Sequence, residues 1–370
     1  MRPLSRRLSR AALTMGLIVA TVAGGGDAHA AVRKMIWAPP DQEGTAADLP
    51  IYRQLHVSVV QQSINWGGVA PSKPANPRDP NDPAYQWPAA VDFLNAQARA
   101  QGMQVALMLT YTPSWANGGQ SQLTTPSNPK DFADFATAAA RRYPGVRLWM
   151  VWGEPDFGNK FQPLVGQTRF NGGGLNAAQA QAPRNYARIL DATYGALKSV
   201  SGKNLVIGGM TTVTGDIRPV NWVRYMRLPN GKPPRMDMYG HNPFGARRPN
   251  LRNPPSGQEA VDISDLGRFS RTIKRYIAGP LRHPVRLFLS EYCIPTGPNG
   301  EFNYYTTPPL QASWINSAFG VARKLNAYGL GWIHLKDDAQ LGRGDESRCG
   351  LLTTDGTRKP GFSAFAGAHG

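Results

Sequence analysis

Short apolar runs alternate along this chain with longer stretches in which apolar residues recur every three to four positions. The runs fall at 34–37, 57–61, 104–109, 147–152, 204–208, 236–239, 285–289 and 330–335. Each is short and largely apolar without strict alternation, so each reads as a strand covered on both faces. Between them, Phe132, Phe135 and Ala139 mark one helical face, as do Tyr186, Leu190, Tyr194 and Leu197. Leu266, Phe269, Ile273 and Tyr276 repeat the pattern, and so do Trp314, Ala318, Val321 and Leu325. Strands interleaved with helices predict parallel βαβ units, and eight such units closed into a ring make a (β/α)8 TIM barrel, an α/β fold. The competing open, doubly wound sheet would carry a glycine-rich phosphate loop after its first strand. Ala38, Pro39, Pro40 and Asp41 stand there instead, and neither G-x-G-x-x-G nor a Walker sequence follows any run. Nucleotide chemistry is therefore not expected.

The first residues do not fit that alternation. Arg2, Arg6, Arg7 and Arg10 precede an apolar stretch at 11–23 and the small-residue exit Ala28-His29-Ala30. This order predicts a secretory signal peptide over 1–30, too short in its apolar part for the roughly 20 residues that span a bilayer. Ser5-Arg6-Arg7 leaves twin-arginine export open as the route. Residues 31–370 are then a single domain, secreted to the exterior or the cell wall, with no later stretch apolar enough to insert in a membrane. The full chain carries a formal charge of +17, and losing the leader's four arginines and Asp27 leaves about +14. Such a charge favours anionic surfaces, including acidic polysaccharide. Its basic residues are scattered, with Arg141-Arg142 and Arg247-Arg248 the adjacent arginine pairs of the mature part, so nucleic acid is not an expected partner. A monomer is expected.

Export also bears on Cys293 and Cys349, the two cysteines: an oxidising compartment predicts a disulfide between them, with two separate buried thiols as the alternative. His56, His241, His283, His334 and His369 show neither H-x-x-x-H nor H-E-x-x-H spacing, and no G-x-S-x-G elbow is present. Asp337-Asp338 is too sparse for a calcium loop and reads as a solvated or salt-bridged face. No metal and no cofactor are expected.

The chemistry lies at the ends of the runs. Long loops at 67–88 and 156–183 leave the second and fourth runs at their carboxyl ends, where barrel active sites are built. Glu154 follows the fourth run and Glu291 the seventh. One strand-end glutamate is ordinarily solvated. Two on non-adjacent strands of one barrel would face a single cavity, the arrangement that cleavage of a glycosidic bond requires.

Trp152-Gly153-Glu154-Pro155-Asp156 resembles the Trp-Asn-Glu-Pro-Asn signature of clan A retaining glycoside hydrolases, and Phe288-Leu289-Ser290-Glu291-Tyr292 resembles their nucleophile strand. With Thr112-Pro113-Ser114-Trp115-Ala116, the segment 237–241 and Gly331-Trp332, the resemblance covers nearly the whole mature chain and is strongest to family 39-type and family 5-type barrels. It implies that Glu154 is the general acid/base and Glu291 the nucleophile. It also implies that His241 hydrogen-bonds near the nucleophile or the sugar, and that Trp332 is the floor on which a sugar ring stacks. Trp37, Trp66 and Trp115, near strand exits, are candidates for further subsites. The family's asparagine before the acid/base is Gly153 here, so Asn65, Asn242 or Tyr292 would have to supply the contact to the sugar 2-hydroxyl. His241-Asn242-Pro243-Phe244 replaces the relatives' His-Pro-Tyr, leaving Tyr239 or Tyr292 to take the tyrosine's place or to pack against the barrel wall. The expected function is hydrolysis of O-glycosidic bonds in a poly- or oligosaccharide. The alternatives are a transglycosidase and a carbohydrate-binding barrel without turnover.

Overall fold

The structure is a computed structural model that describes residues 31–39, 43–300, 302–338 and 348–369. The leader expected at 1–30 lies outside the described residues. Eight strands, β1 (Arg33–Trp37), β2 (Val59–Asn65), β3 (Gln104–Thr110), β4 (Leu148–Val151), β5 (Leu205–Thr212), β6 (Met238–Asn242), β7 (Arg286–Tyr292) and β8 (Gly329–Trp332), form a closed barrel in sequence order. Every neighbouring pair is parallel, including β1 with β8, so the predicted TIM barrel is the observed one. One helix from the surrounding ring follows each strand: α1 (Leu49–Gln54), α2 (Ala89–Ala100), α3 (Pro129–Arg142), α4 (Gln181–Val200), α5 (Pro219–Tyr225), α6 (Leu266–Ile273), α7 (Pro308–Lys324) and α8 (Pro360–Gly367). Among the described residues, no helix is long and apolar enough to cross a membrane.

Helix α3 shows how the sequence fixes these elements. The Asn128 side chain caps the Lys130 N–H, Pro129 occupies the first turn, and Asp131 and Arg141-Arg142 complement the helix dipole at its two ends. Its buried Phe132 and Phe135 then pack on Trp66 at ring separations of 5.6 Å each.

Strands β2, β5, β6 and β7 run past their apolar runs to Asn65, Thr212, Asn242 and Tyr292. The added residues include Gln62, Thr211, His241 and Ser290, all buried polar groups; the first three pair in the ladder, while Ser290 lies where the β7–β8 register shifts. An apolar pattern cannot see them. Strand β8, by contrast, stops at Trp332, short of 335. Leu335 and Lys336 donate their N–H groups to the Glu43 carboxylate, at 3.0 Å each, instead of extending the sheet. Glu43 thereby ties the segment after β1 to the segment after β8, and burial pushes its carboxyl up to about 7.

Inside the barrel, Gln61 of β2 donates through Nε2 to the Ser290 carbonyl of β7 at 2.8 Å. These strands are not neighbours, so the bond crosses the lumen. Gly331 lies flush beside it: a Cβ there would sit 2.0 Å from the Ser290 carbonyl oxygen and 2.5 Å from Gln61 Nε2. Only glycine permits that approach.

The expected disulfide joins Cys293, just past β7, to Cys349, beyond β8, with Cα atoms 5.5 Å apart. Closing a loop of 56 residues contributes roughly 4 kcal/mol on the chain-entropy account. Asp337 belongs to the same region, and of the two readings for it the salt bridge holds. It pairs with Lys359 at 2.6 Å, both side chains being buried, and also accepts the Gly350 N–H. Solvent plays little part there.

Candidate active site

The segment after β4 carries the first candidate glutamate on a contorted backbone. Trp152 and Glu154 have φ of 64° and 44°, left-handed values that non-glycine residues rarely adopt, with a cost on the order of 1–3 kcal/mol each. Packing holds them there. The Trp152 indole is fully buried against Phe132 and Phe161 and donates to the Lys160 carbonyl at 2.9 Å, while the Glu154 N–H donates to the Met210 carbonyl at 2.9 Å. So pinned, Glu154 keeps its half-buried carboxylate beside the end of β6.

Asn242 receives it. Its Nδ2 donates to Glu154 Oε1 at 3.0 Å, and its Oδ1 accepts the Ser290 hydroxyl. Ser290 precedes Glu291 on β7, and its carbonyl is the one gripped by Gln61. A buried amide on β6 thus links the Glu154 carboxylate of β4 to the residue adjoining Glu291, which is itself half-buried. For the expected glycosidase, replacing Asn242 by Ala should loosen this alignment, lowering kcat roughly 10²-fold while KM moves less. Steady-state kinetics beside a melting curve would check this; an unchanged kcat in a folded variant denies Asn242 a positioning role.

The strand pleat separates the remaining candidates. His241, one residue before Asn242, faces the helix layer with its ring centroid 4.9 Å from that of Phe269 on α6. Its Nε2 donates to the Val261 carbonyl and its Nδ1 accepts from the Thr211 hydroxyl, each at 2.9 Å. Burial pulls its pKa down to about 4, so the ring is neutral and fully committed. The expected contact with nucleophile or sugar is therefore replaced by a structural one. Trp332 also departs from expectation. Since Gly331 faces the lumen, the next side chain points outward. Trp332 is 1 % exposed, packs edge-on to Tyr292 and Phe365, and donates to the Cys349 carbonyl at 2.9 Å. It is no open floor for a sugar.

Tyr292 is buried on the same outer face, and Tyr239 packs on Phe269, so both tyrosines belong to the barrel wall. Trp66 is core under α3, and the Asn65 side chain accepts the Gly68 N–H. Trp37 remains on the lumen side: it stands two residues beyond Met35, whose sulfur lies where a Gly329 Cβ would enter. Trp115 is half-buried at the rim and donates to the Ala70 carbonyl. Of the expected sugar contacts, Asn242, Trp37 and Trp115 remain at this end of the barrel.

Sequence reasoning missed two residues. Asp156 is fully buried and accepts the Thr212 N–H at 3.1 and 3.2 Å. Burial, reinforced by the Glu154 charge, pushes its carboxyl well above the usual range. The signal was present in the final residue of Trp-Gly-Glu-Pro-Asp. Met108 gave no such signal: its sulfur lies 2.9 Å from where a Gly153 Cβ would stand. A thioether thus closes on the position where the resemblance calls for an asparagine.

No protein-family model matches the sequence, and no curated protein matches it. Solved structures do. A family 39 glycoside hydrolase from the gut symbiont Bacteroides cellulosilyticus WH2 superposes with a TM-score of 0.62 at 16% identity, over 90% of this chain and 62% of that one. A family 39 beta-xylosidase from Caulobacter crescentus gives 0.62 at 16%, over 90% and 70%. A glucosidase from Croceicoccus marinus gives 0.62 at 15%, over 91% and 67%. The chain has the barrel fold of these enzymes and spans about two thirds of their length.

Proposed function

We propose that the protein is a secreted glycoside hydrolase that cleaves O-glycosidic bonds of a poly- or oligosaccharide with retention of configuration. The observation that carries this reading is the Asn242 bridge between Glu154 and the β7 residue adjoining Glu291. In the first step the Glu291 carboxylate attacks the anomeric carbon, the glycosidic C–O bond breaks, and Glu154 gives its proton to the departing oxygen. In this reading Asn242, which donates to Oε1, leaves Oε2 as the oxygen that hands over the proton. In the second step the Glu154 carboxylate takes a proton from water, the water oxygen bonds to the anomeric carbon, and Glu291 leaves. The balance needs only water.

A panel of aryl glycosides with neutral and anionic polysaccharides tests this, with proton NMR identifying the first anomer released. The expected product keeps the substrate's configuration. An inverted first product would rule out the covalent route, and an intact panel would rule out hydrolysis. The second of these outcomes supports a carbohydrate-binding barrel without turnover, a reading to which the close approach of Met108 to Gly153 lends weight. Products longer than the substrate at high acceptor concentration would mark a transglycosidase.

A further inference from the structure

Between the β3–α3 loop and the β4–α4 loop lies a cleft of about 520 Å3 whose lining includes neither Glu154 nor Glu291. That volume lies within the roughly 300–1,000 Å3 of small-molecule sites. Both loops leave carboxyl ends of strands, and the second leads directly from Glu154 to Gln162 in the cleft wall, so the cleft borders the end of the barrel that carries the glutamates.

Its walls are set by backbone bonds. The Thr125 N–H donates to the Gln162 carbonyl and the Gln162 N–H to the Leu123 carbonyl, each at 2.8 Å. The groups facing the space have a definite chemistry. Hydroxyls of Thr124, Thr125 and Ser127 can donate or accept. Asn185 uses its oxygen to accept from Gln181, which leaves its amide N–H groups to donate. Pro163, exposed at the cleft edge, supplies apolar surface suited to the C–H face of a sugar ring. Arg188, on α4, is exposed and pairs with no carboxylate among the described residues, and none lines the cleft.

Hydroxyls, an amide and apolar edges suffice for a neutral sugar. An unpaired guanidinium adds one thing, a planar fork matched to a carboxylate. We infer that this cleft is a separate carbohydrate subsite for a uronate unit of an acidic polysaccharide, with Arg188 on the carboxylate and the hydroxyls and Asn185 on the ring oxygens. The mature chain's charge of about +14 draws such a polymer to the surface generally. The inference rests on the reading of the chain as a carbohydrate-active barrel, but not on turnover.

Calorimetry on the Glu291→Ala chain, with hexagalacturonate and cellohexaose as probes, tests it without hydrolysis. Hexagalacturonate is expected to bind roughly three- to ten-fold more tightly than cellohexaose, a typical gain for one charge-assisted pair near the surface. Adding Arg188→Ala should erase that preference, Arg188→Lys should restore part of it, and Arg184→Ala, exposed elsewhere on the same helix, should keep it. Equal affinity for the two probes overturns the inference. So does a preference that survives Arg188→Ala in a protein that melts as before. Because heat of binding is the readout, the two probes separate at this cleft, or fail to, even in a chain that hydrolyses nothing.

Discussion

Replacing Glu291 by Ala is expected to lower turnover of every substrate by roughly 10³-fold or more, the scale seen when a covalent nucleophile is removed from a unit that acts together. Melting should change little, because the half-buried side chain stands at the barrel rim and not in the packed interior. The vacated space admits a small anion. Azide added to the variant should attack the anomeric carbon from the face that Glu291 occupied and yield a glycosyl azide of inverted configuration. This product distinguishes a missing nucleophile from general damage, since a misfolded barrel would not direct azide to one face. Turnover within roughly ten-fold of the parent, about 1.4 kcal/mol in barrier, would remove Glu291 from the mechanism.

Glu154→Gln is expected to behave differently. Glutamine keeps the shape and an oxygen that can accept from Asn242 Nδ2, but it has no proton to deliver. Substrates with a poor leaving group should slow roughly 10²- to 10⁴-fold, the usual share of general acid catalysis. A dinitrophenyl glycoside departs without protonation, so its first step should be nearly untouched, and the lost base should show instead as a slow second step. That combination predicts a burst of dinitrophenol followed by slow release, and a pH–rate profile that loses its basic limb. Equal losses for good and poor leaving groups would mean that Glu154 serves only to hold the site together.

Both predictions concern residues visible in the sequence, and the reason is local. A barrel strand covered on both faces must be a short apolar run, so each strand announces itself. A glutamate at the end of such a run stands out because nothing apolar explains it. For the same reason the loops after β2 and β4 could be assigned to the correct face from the order of the runs alone.

Other parts of the site were not legible. The polar ends of β2, β5, β6 and β7 escaped the pattern because their backbone groups find partners in the ladder or, for Met210 and Ser290, in contacts from other elements, whatever their own side chains are. His241 and Asn242 are adjacent and both polar, and the motif pointed to the histidine. The pleat turned it into the helix layer, where its ring nitrogens are bound and its pKa falls to about 4. Trp332 was displaced by the same one-residue alternation, because Gly331 takes the lumen position beside Ser290.

The sequence by itself therefore determined the number and order of the strands, their closure into a barrel, and the two glutamates at strand ends. Each of these depends on patterns within a short window. Only the tertiary structure decided which neighbour of each pair faces the lumen, that Asn242 links the two candidate carboxylate strands, that the Asp156 carboxyl is buried and pushed upward beside Glu154, and that Met108 closes on Gly153. These depend on strands far apart in the chain meeting at one end of the barrel, and on burial, which is a property of the closed molecule.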